Sequence, residues 1–284
     1  MPDRLLVRDL ELRFGERTYV MGIVNMTPDS FSGDGLLTSA SPTVAAVEQA
    51  ERMVAEGADI IDVGGESTRP GHAPVTPSQE VERVVAVVDG IRRRLPGVPI
   101  SIDTSKPPVA EAALAAGADI VNDVAGVTRG AALAPVAAAA GAPYIVMHSR
   151  SQPDYEDVVA EVVEDLREAL AAAEDQGCQP GSLIADPGIG FGKTAEHNLA
   201  LLRDLGALAA LGRPVLLGTS RKSTIGKVLA LPEHERLEGT LATTAIGIAA
   251  GVDIVRVHDV TANVRAARMS DAIIRGGWTE ASDG

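Results

Sequence analysis

A repeated junction limits the fold of this 284-residue chain more than any other feature. Glu56-Gly57-Ala58-Asp59-Ile60, Ala116-Gly117-Ala118-Asp119-Ile120 and Ala250-Gly251-Val252-Asp253-Ile254 each place a glycine between a helix-like run and a short apolar one. Glycine stops a helix there because it accepts the left-handed conformation that a helix C-terminus favours. The apolar runs are nearly continuous rather than alternating, as in strands buried on both faces. Eight such runs occur, at 19–25, 58–64, 99–104, 119–124, 143–148, 182–186, 214–219 and 253–258. A helical pattern follows each of them. Ser41-Pro42 caps the first helix, whose stripe is Val44, Val47, Ala50 and Val54. Thr76-Pro77 with Gln79 opens the second, striped by Val81, Val84, Val85, Val88 and Ile91. Later helices are expected at 107–116, 131–140, 156–176, 196–211, beyond Ser223 and from Thr261. A hairpin with arms at 5–11 and 17–20 precedes the series.

Strand–helix–strand crossovers are right-handed and build a parallel sheet, and eight of them favour closure. The expected fold is α/β, a (β/α)8 TIM barrel. One domain spans 1–284 with its core at about 19–275, since no linker or composition break divides the chain. A doubly wound open sheet is the alternative.

Composition narrows the function classes. Hydrophobic residues make up 45% of the chain, but no apolar run reaches the ~18 residues of a membrane span. A net charge of −14 disfavours nucleic acid and anionic membranes as partners, while leaving room for a small anionic substrate. The single cysteine, Cys178, excludes an internal disulfide framework and suits a reducing cytoplasm. The N-terminus lacks a signal-peptide plan.

The stretch Asp186-Pro187-Gly188-Ile189-Gly190-Phe191-Gly192-Lys193 ends the sixth strand. It is not a P-loop, which needs glycine where Pro187 stands. Nor is it a dinucleotide fingerprint, whose glycine spacing differs. Its glycines suggest a backbone that passes close to a ligand. Barrel enzymes place their sites at the C-terminal strand ends. Those ends carry Asn25, Glu66 or Arg69, Asp103, Asn122, Met147 or His148, Asp186, Lys222, Arg256 and His258. Any one could be a helix cap, a surface ion pair or a satisfied core histidine. Together they surround one mouth with carboxylates, amides and cations. Asp103, Asn122 and Asp186 suit a heterocycle with several N–H donors. Asn25, Arg256 and His258 suit a phosphate-like anion, with Mg2+ at Asn25. Lys222 and Ser223 stand where a helix begins, a place that attracts anions.

Five motifs then carry a resemblance. Asn25-Met26-Thr27-Pro28-Asp29-Ser30-Phe31-Ser32, Gly64-Gly65-Glu66-Ser67-Thr68-Arg69-Pro70-Gly71, the 186–193 stretch, Ser220-Arg221-Lys222-Ser223-Thr224-Ile225-Gly226 and Arg256-Val257-His258-Asp259-Val260 together resemble the dihydropteroate synthase family. The resemblance runs from about residue 19 to 275. It implies a barrel transferase of folate biosynthesis, a sulfonamide-target family usually found as homodimers. Such enzymes condense a dihydropterin bearing a hydroxymethyl pyrophosphate with p-aminobenzoate and release pyrophosphate. It further implies pterin contacts from Asp103, Asn122, Asp186 and Lys222, with Met147 and Phe191 lining the pocket. Asn25, through Mg2+, and Arg256 with His258 would hold the pyrophosphate. Ser223 would take the aminobenzoate carboxylate, flanked by Phe31, Thr68, Arg69 and Pro70. Many relatives read Asp-Gly-Gly where this chain has Ser32-Gly33-Asp34-Gly35, which shifts the loop carboxylate Asp34. The alternatives are a pterin-binding methyltransferase of the same barrel type and a non-catalytic pterin-binding paralogue.

Overall fold

A computed structural model describes residues 4–26, 41–66 and 75–276. The chain enters as a hairpin, β1 (Arg4–Val7) and β2 (Leu10–Arg13), whose tight turn puts Arg8 at φ +53°. Then come β3 (Tyr19–Asn25), α1 (Pro42–Ala55), β4 (Ile60–Gly64), α2 (Pro77–Arg94), β5 (Ile100–Thr104) and α3 (Pro107–Ala115). They are followed by β6 (Ile120–Asp123), α4 (Ala134–Ala140), β7 (Tyr144–Met147), α5 (Val158–Asp175) and β8 (Leu183–Asp186). The rest is α6 (Ala195–Arg203), β9 (Leu216–Leu217), α7 (Ser223–Leu229), α8 (Leu237–Ala249), β10 (Ile254–Val257) and α9 (Val260–Ile274).

The eight strands from β3 to β10 pair in parallel, and β10 returns to lie beside β3. A bridge between Ala185 and Val215 joins β8 to β9, with the Ala185 amide donating to the Pro214 carbonyl at 2.9 Å. The ring is closed, which decides against an open sheet. Only two residues of the expected seventh strand are regular. The hairpin also differs from expectation: its second arm is β2, because Tyr19-Val20 is already committed to β3. The helix expected over 196–211 divides into α6 and a 3-10 turn at Leu205–Leu211.

The junction glycines do what their spacing requires. Gly57, Gly117 and Gly251 have φ of +104°, +111° and +96°. Ser41 caps α1 by accepting from the Val44 amide, and Thr76 with Gln79 forms the capping box of α2. The buried face of α1 is rotated from the expected stripe: Ala45, Ala46, Val47, Ala50 and Met53 face inward, and Val44 is exposed. The cause lies in the strand beneath. A side chain on Gly22 would come within 2.9 Å of Met53 Sδ, so Met53 fills the space that glycine leaves. In α2, Val84, Val88 and Ile91 are buried as expected, joined by Val87 and Glu80, while Val81 and Val85 are partly buried.

Strand side chains alternate between two environments. Val20, Val24, Ile61, Val63, Val121, Val146 and Val257 face the helices in the larger core. Tyr19, Met21, Ile60, Ile120, Ile145, Ile184, Leu216 and Ile254 fill the lower lumen, where Val7, Leu12 and Phe14 of the hairpin region plug it. Two residues further up the same face, apolar filling gives way to Asp62, Asn122, Asp186 and Arg256. No helix among the described residues is long and apolar enough to cross a membrane.

Candidate active site

The upper lumen opens into a narrow cleft with a cavity volume of about 20 Å³, lined by Asp103, Asn122, Met147, Asp186, Phe191, Lys222 and Arg256. Arg256 is its hub. Its Nε donates to Asp62 at 2.6 Å and its Nη2 to Asp103 at 2.5 Å. Burial works against the Arg256 charge, but these two carboxylates outweigh it and hold the guanidinium firmly protonated. Arg256 therefore links the acceptor group to the anion group that the residue chemistry had separated.

Burial pushes the Asp103 carboxyl up to about 7, with Arg256 opposing the rise and Asp62 adding to it. Asp186 is likewise raised by burial, to about 6, against the Gly188 amide and the Lys222 and Arg256 cations. Gly188 donates to Asp186 Oδ1 at 2.7 Å, which anchors one carboxylate oxygen of a residue that lines the cleft. Asn122 is nearly inaccessible. Its amide nitrogen lies 3.4 Å from Asp62, while its Oδ1 and the Ser101 hydroxyl have no hydrogen-bond partner among the described residues. Buried polar atoms left unpaired beside a cleft suit a ligand rich in N–H donors.

The glycine loop has a steric reason within the protein itself. Gly188 and Gly192 adopt φ of +64° and +61°, and a side chain on either would strike a neighbouring carbonyl, His148 O or Arg150 O. The close approach is backbone against backbone. Gly190 instead makes room for the Lys222 stem, whose ammonium lies 4.1 Å from the Phe191 ring centroid. Asn198, buried on α6, ties this loop to α7 by accepting from the Gly190 amide and donating to the Thr224 hydroxyl.

Lys222 precedes α7 and Ser223 is its first residue, as their positions implied. His258 lies within hydrogen-bond range of the Ser220 hydroxyl, at 2.9 Å through Nδ1. That hydroxyl also accepts from the His258 amide at 3.1 Å; when its own proton goes to Nδ1, the ring carries its proton on Nε2. Burial, with Arg221 and Arg256 nearby, lowers the ring to about 3. His258 is neutral here, not a cation. Asn25 ends β3 at the rim, in register with Gly64, whose missing side chain leaves space beside its Oδ1.

One of the two either-or positions resolves. Met147 lines the cleft, whereas His148 turns away to Asp165 at 3.0 Å. Glu66 is held by Lys106 and the Val75 amide, a structural pairing, and Arg69 lies outside the described residues with Phe31, Asp34, Thr68 and Pro70. Sequence reasoning missed Asp62 and Ser220. Asp62 had a signal: Ile60-Ile61-Asp62 repeats the two-residue step of Ile184-Ala185-Asp186 and Ile254-Val255-Arg256. Ser220 had none, because its role depends on a loop folding back to His258.

A closed parallel barrel with a charged, donor-accepting upper lumen is the build of a barrel enzyme for a small polar ligand. The family model of pterin binding enzymes matches residues 21–258. A dihydropteroate synthase of Clostridium beijerinckii is 48% identical over 266 residues, covering 93% of this chain and 97% of the relative. The solved Xanthomonas albilineans dihydropteroate synthase with 4-aminobenzoic acid superimposes with a TM-score of 0.89 at 40% identity, covering 96% of this chain and 98% of its own. The same enzyme in complex with 7,8-dihydropteroate gives 0.85 at 39% identity, covering 95% and 98%. The chain belongs to the dihydropteroate synthase family of pterin binding enzymes.

Proposed function

We propose that this chain is a transferase of folate biosynthesis that condenses 6-hydroxymethyl-7,8-dihydropterin pyrophosphate with p-aminobenzoate. The products are 7,8-dihydropteroate and pyrophosphate. The observation that carries this reading is the set of acceptors around Arg256: Asp103, Asp186 and the unpartnered Asn122 Oδ1. They match the N–H edge of a pterin. Met147 and Phe191 bound the ring, and Lys222 reaches over Phe191 toward the same seat.

In this reading the bond between the pterin methylene carbon and the pyrophosphate oxygen breaks first, and its electron pair leaves with the pyrophosphate. The amine nitrogen of p-aminobenzoate then bonds to the carbon and releases a proton. Such a path needs no protein nucleophile, only stabilisation of the departing anion. Arg256 supplies positive charge, and neutral His258 adds none, offering an Nε2–H donor when the Ser220 proton goes to Nδ1. Ser223 and the start of α7 would take the aminobenzoate carboxylate, and the resemblance gives a share of that role to Phe31, Thr68, Arg69 and Pro70, which lie outside the described residues.

Mg2+ belongs to the proposal. The described residues contain no cluster of three His, Cys, Asp or Glu side chains able to hold a metal alone. Mg2+ arriving on a substrate pyrophosphate needs only one or two protein oxygens, and the Asn25 Oδ1 at the rim fits that demand. When bound, it would neutralise charge on the leaving group. A homodimer is supported by exposed Ile246, Met269 and Ile273 on the packed helices α8 and α9. A cytoplasmic setting is supported by the single cysteine.

The test is turnover of purified protein with both substrates, with Mg2+ and then with chelator. Dihydropteroate and pyrophosphate should form in equal amounts, and chelation should slow the reaction. Pterin binding without product would point to the paralogue instead. A methyltransferase is disfavoured because it has no use for a carboxylate seat at Ser223.

A further inference from the structure

Lys193 closes the glycine loop yet does not line the cleft. Its ammonium spends all three protons behind the loop. It lies 3.0 Å from the Gly188 carbonyl, 3.1 Å from the Phe191 carbonyl and 2.8 Å from His148 Nδ1. Burial lowers Lys193 to about 7, against the pull of Asp186; in its charged form it only donates, so His148 then accepts at Nδ1 and its remaining ring proton sits on Nε2. That proton points to Asp165 Oδ2 at 3.0 Å, and Arg150 holds the same oxygen through Nε and Nη2 at 3.0 and 2.7 Å. His148 is fully buried, and burial together with Lys193 lowers it to about 4, which keeps the ring neutral. The result is one continuous brace from α5 through the end of β7 to the loop after β8.

The loop it braces begins with Asp186 and carries Phe191, two walls of the cleft. The backbone between and just beyond them is permissive, with Gly188 and Gly190 between the two walls and Gly192 after Phe191 all at positive φ. Glycines lower the barrier to other conformations. Something outside the loop must hold one of them, and Lys193 contacts the carbonyls on both sides of Gly190.

We propose that Lys193 is a positioning residue for the pterin seat, setting Asp186 and Phe191 from behind through its bonds to the Gly188 and Phe191 carbonyls and to His148. The inference rests on the pterin reading above, deepens it, and involves no contact with substrate.

The test compares Lys193→Met and Asp165→Asn with the unaltered chain. Methionine keeps the length and removes every donor, while asparagine keeps Lys193 and weakens only the far end of the brace. A 6-hydroxymethylpterin without phosphate and inorganic pyrophosphate serve as separate calorimetric probes. Lys193→Met should weaken the pterin probe about 10- to 30-fold and Asp165→Asn about 3-fold, as expected for lost charged hydrogen bonds acting indirectly. Pyrophosphate affinity should stay within about twofold, and KM for the pterin substrate should rise far more than kcat falls. Equal weakening of both probes, or unchanged pterin affinity in folded variants, overturns the proposal. If Lys193→Met does not fold, a pterin affinity of Asp165→Asn equal to that of the unaltered chain overturns it as well. Failure of the unaltered chain to bind the pterin probe would instead sink the functional reading on which the inference stands.

Discussion

The lower and upper halves of the barrel lumen are built from the same inward-facing strand positions, two residues apart, and do opposite things. Ile60, Ile120, Ile184 and Ile254 meet the hairpin in a dry plug. Asp62, Asn122, Asp186 and Arg256 stand one step above them on the same four strands. The lower layer is held by burial alone, and each isoleucine there contributes about 1.5–3 kcal/mol. The upper layer costs stability: two carboxylates are held well above their ordinary range by burial, and an arginine sits between acids to compensate. Stability and function are thus separated vertically within one ring of strands, so substitutions in the two layers should have separable effects.

The largest effect is expected at the hub. Arg256→Met removes the cation and leaves Asp62 and Asp103 buried without their partner, a loss on the order of 3–5 kcal/mol. Steady-state kinetics should show kcat/KM falling at least about 10³-fold. A variant with near-normal kcat/KM would break the assignment of the upper layer to catalysis. One step below, Ile184→Ala should destabilise by about 2–5 kcal/mol in urea unfolding while leaving kcat/KM per folded molecule within about twofold. A selective loss of activity there would erase the distinction between the layers.

Asp62→Asn comes next. The side chain keeps its shape but loses the charge that holds Arg256 Nε, and kcat/KM should drop roughly 10- to 100-fold. It also removes a negative neighbour that raises Asp103, and it leaves Arg256 more fully to that residue. The acid limb of the pterin-affinity profile should therefore move to lower pH. A shift upward would show that Asp62 does not act on Asp103. The smallest effect concerns Asp186, whose folded pKa of about 6 lies above its ordinary 3.8. Its stabilising contribution is full below about 3.8 and is lost as pH rises through about 6. Asp186→Asn should abolish that part of the pH dependence and raise the thermal midpoint at pH 8 by about 2–4 °C, even as activity is lost. A lower midpoint at pH 8 would mean that the carboxylate stabilises the fold after all.

Much of this architecture was legible along the chain because the signals are local. Gly57, Gly117 and Gly251 announce helix ends through a conformation that other residues resist. Ser41 and Thr76 announce helix starts through bonds spanning three residues. Met147, Asp186 and Arg256 could be placed at a barrel mouth from strand ends alone, and the cleft brings them together with Asp103, Asn122, Phe191 and Lys222. Asp62 could have been read from the period of two but was hidden in an apolar run. On α1, Val47 and Ala50 are buried as the stripe predicted, but Val44 is exposed and Met53 takes an inward place, because Gly22, on another element, decides where Met53 fits.

Local spacing determined that eight strands would alternate with helices and end in polar groups, since turns, caps and periodicity act over a few residues. Only the tertiary structure decided what those groups are to one another. Arg256 meets Asp62 across 194 positions of chain and Asp103 across 153, and His258 meets the Ser220 hydroxyl, 38 positions away. Ionisation inside a barrel is set by burial and by neighbours brought from elsewhere in the chain, and both exist only once the ring has closed.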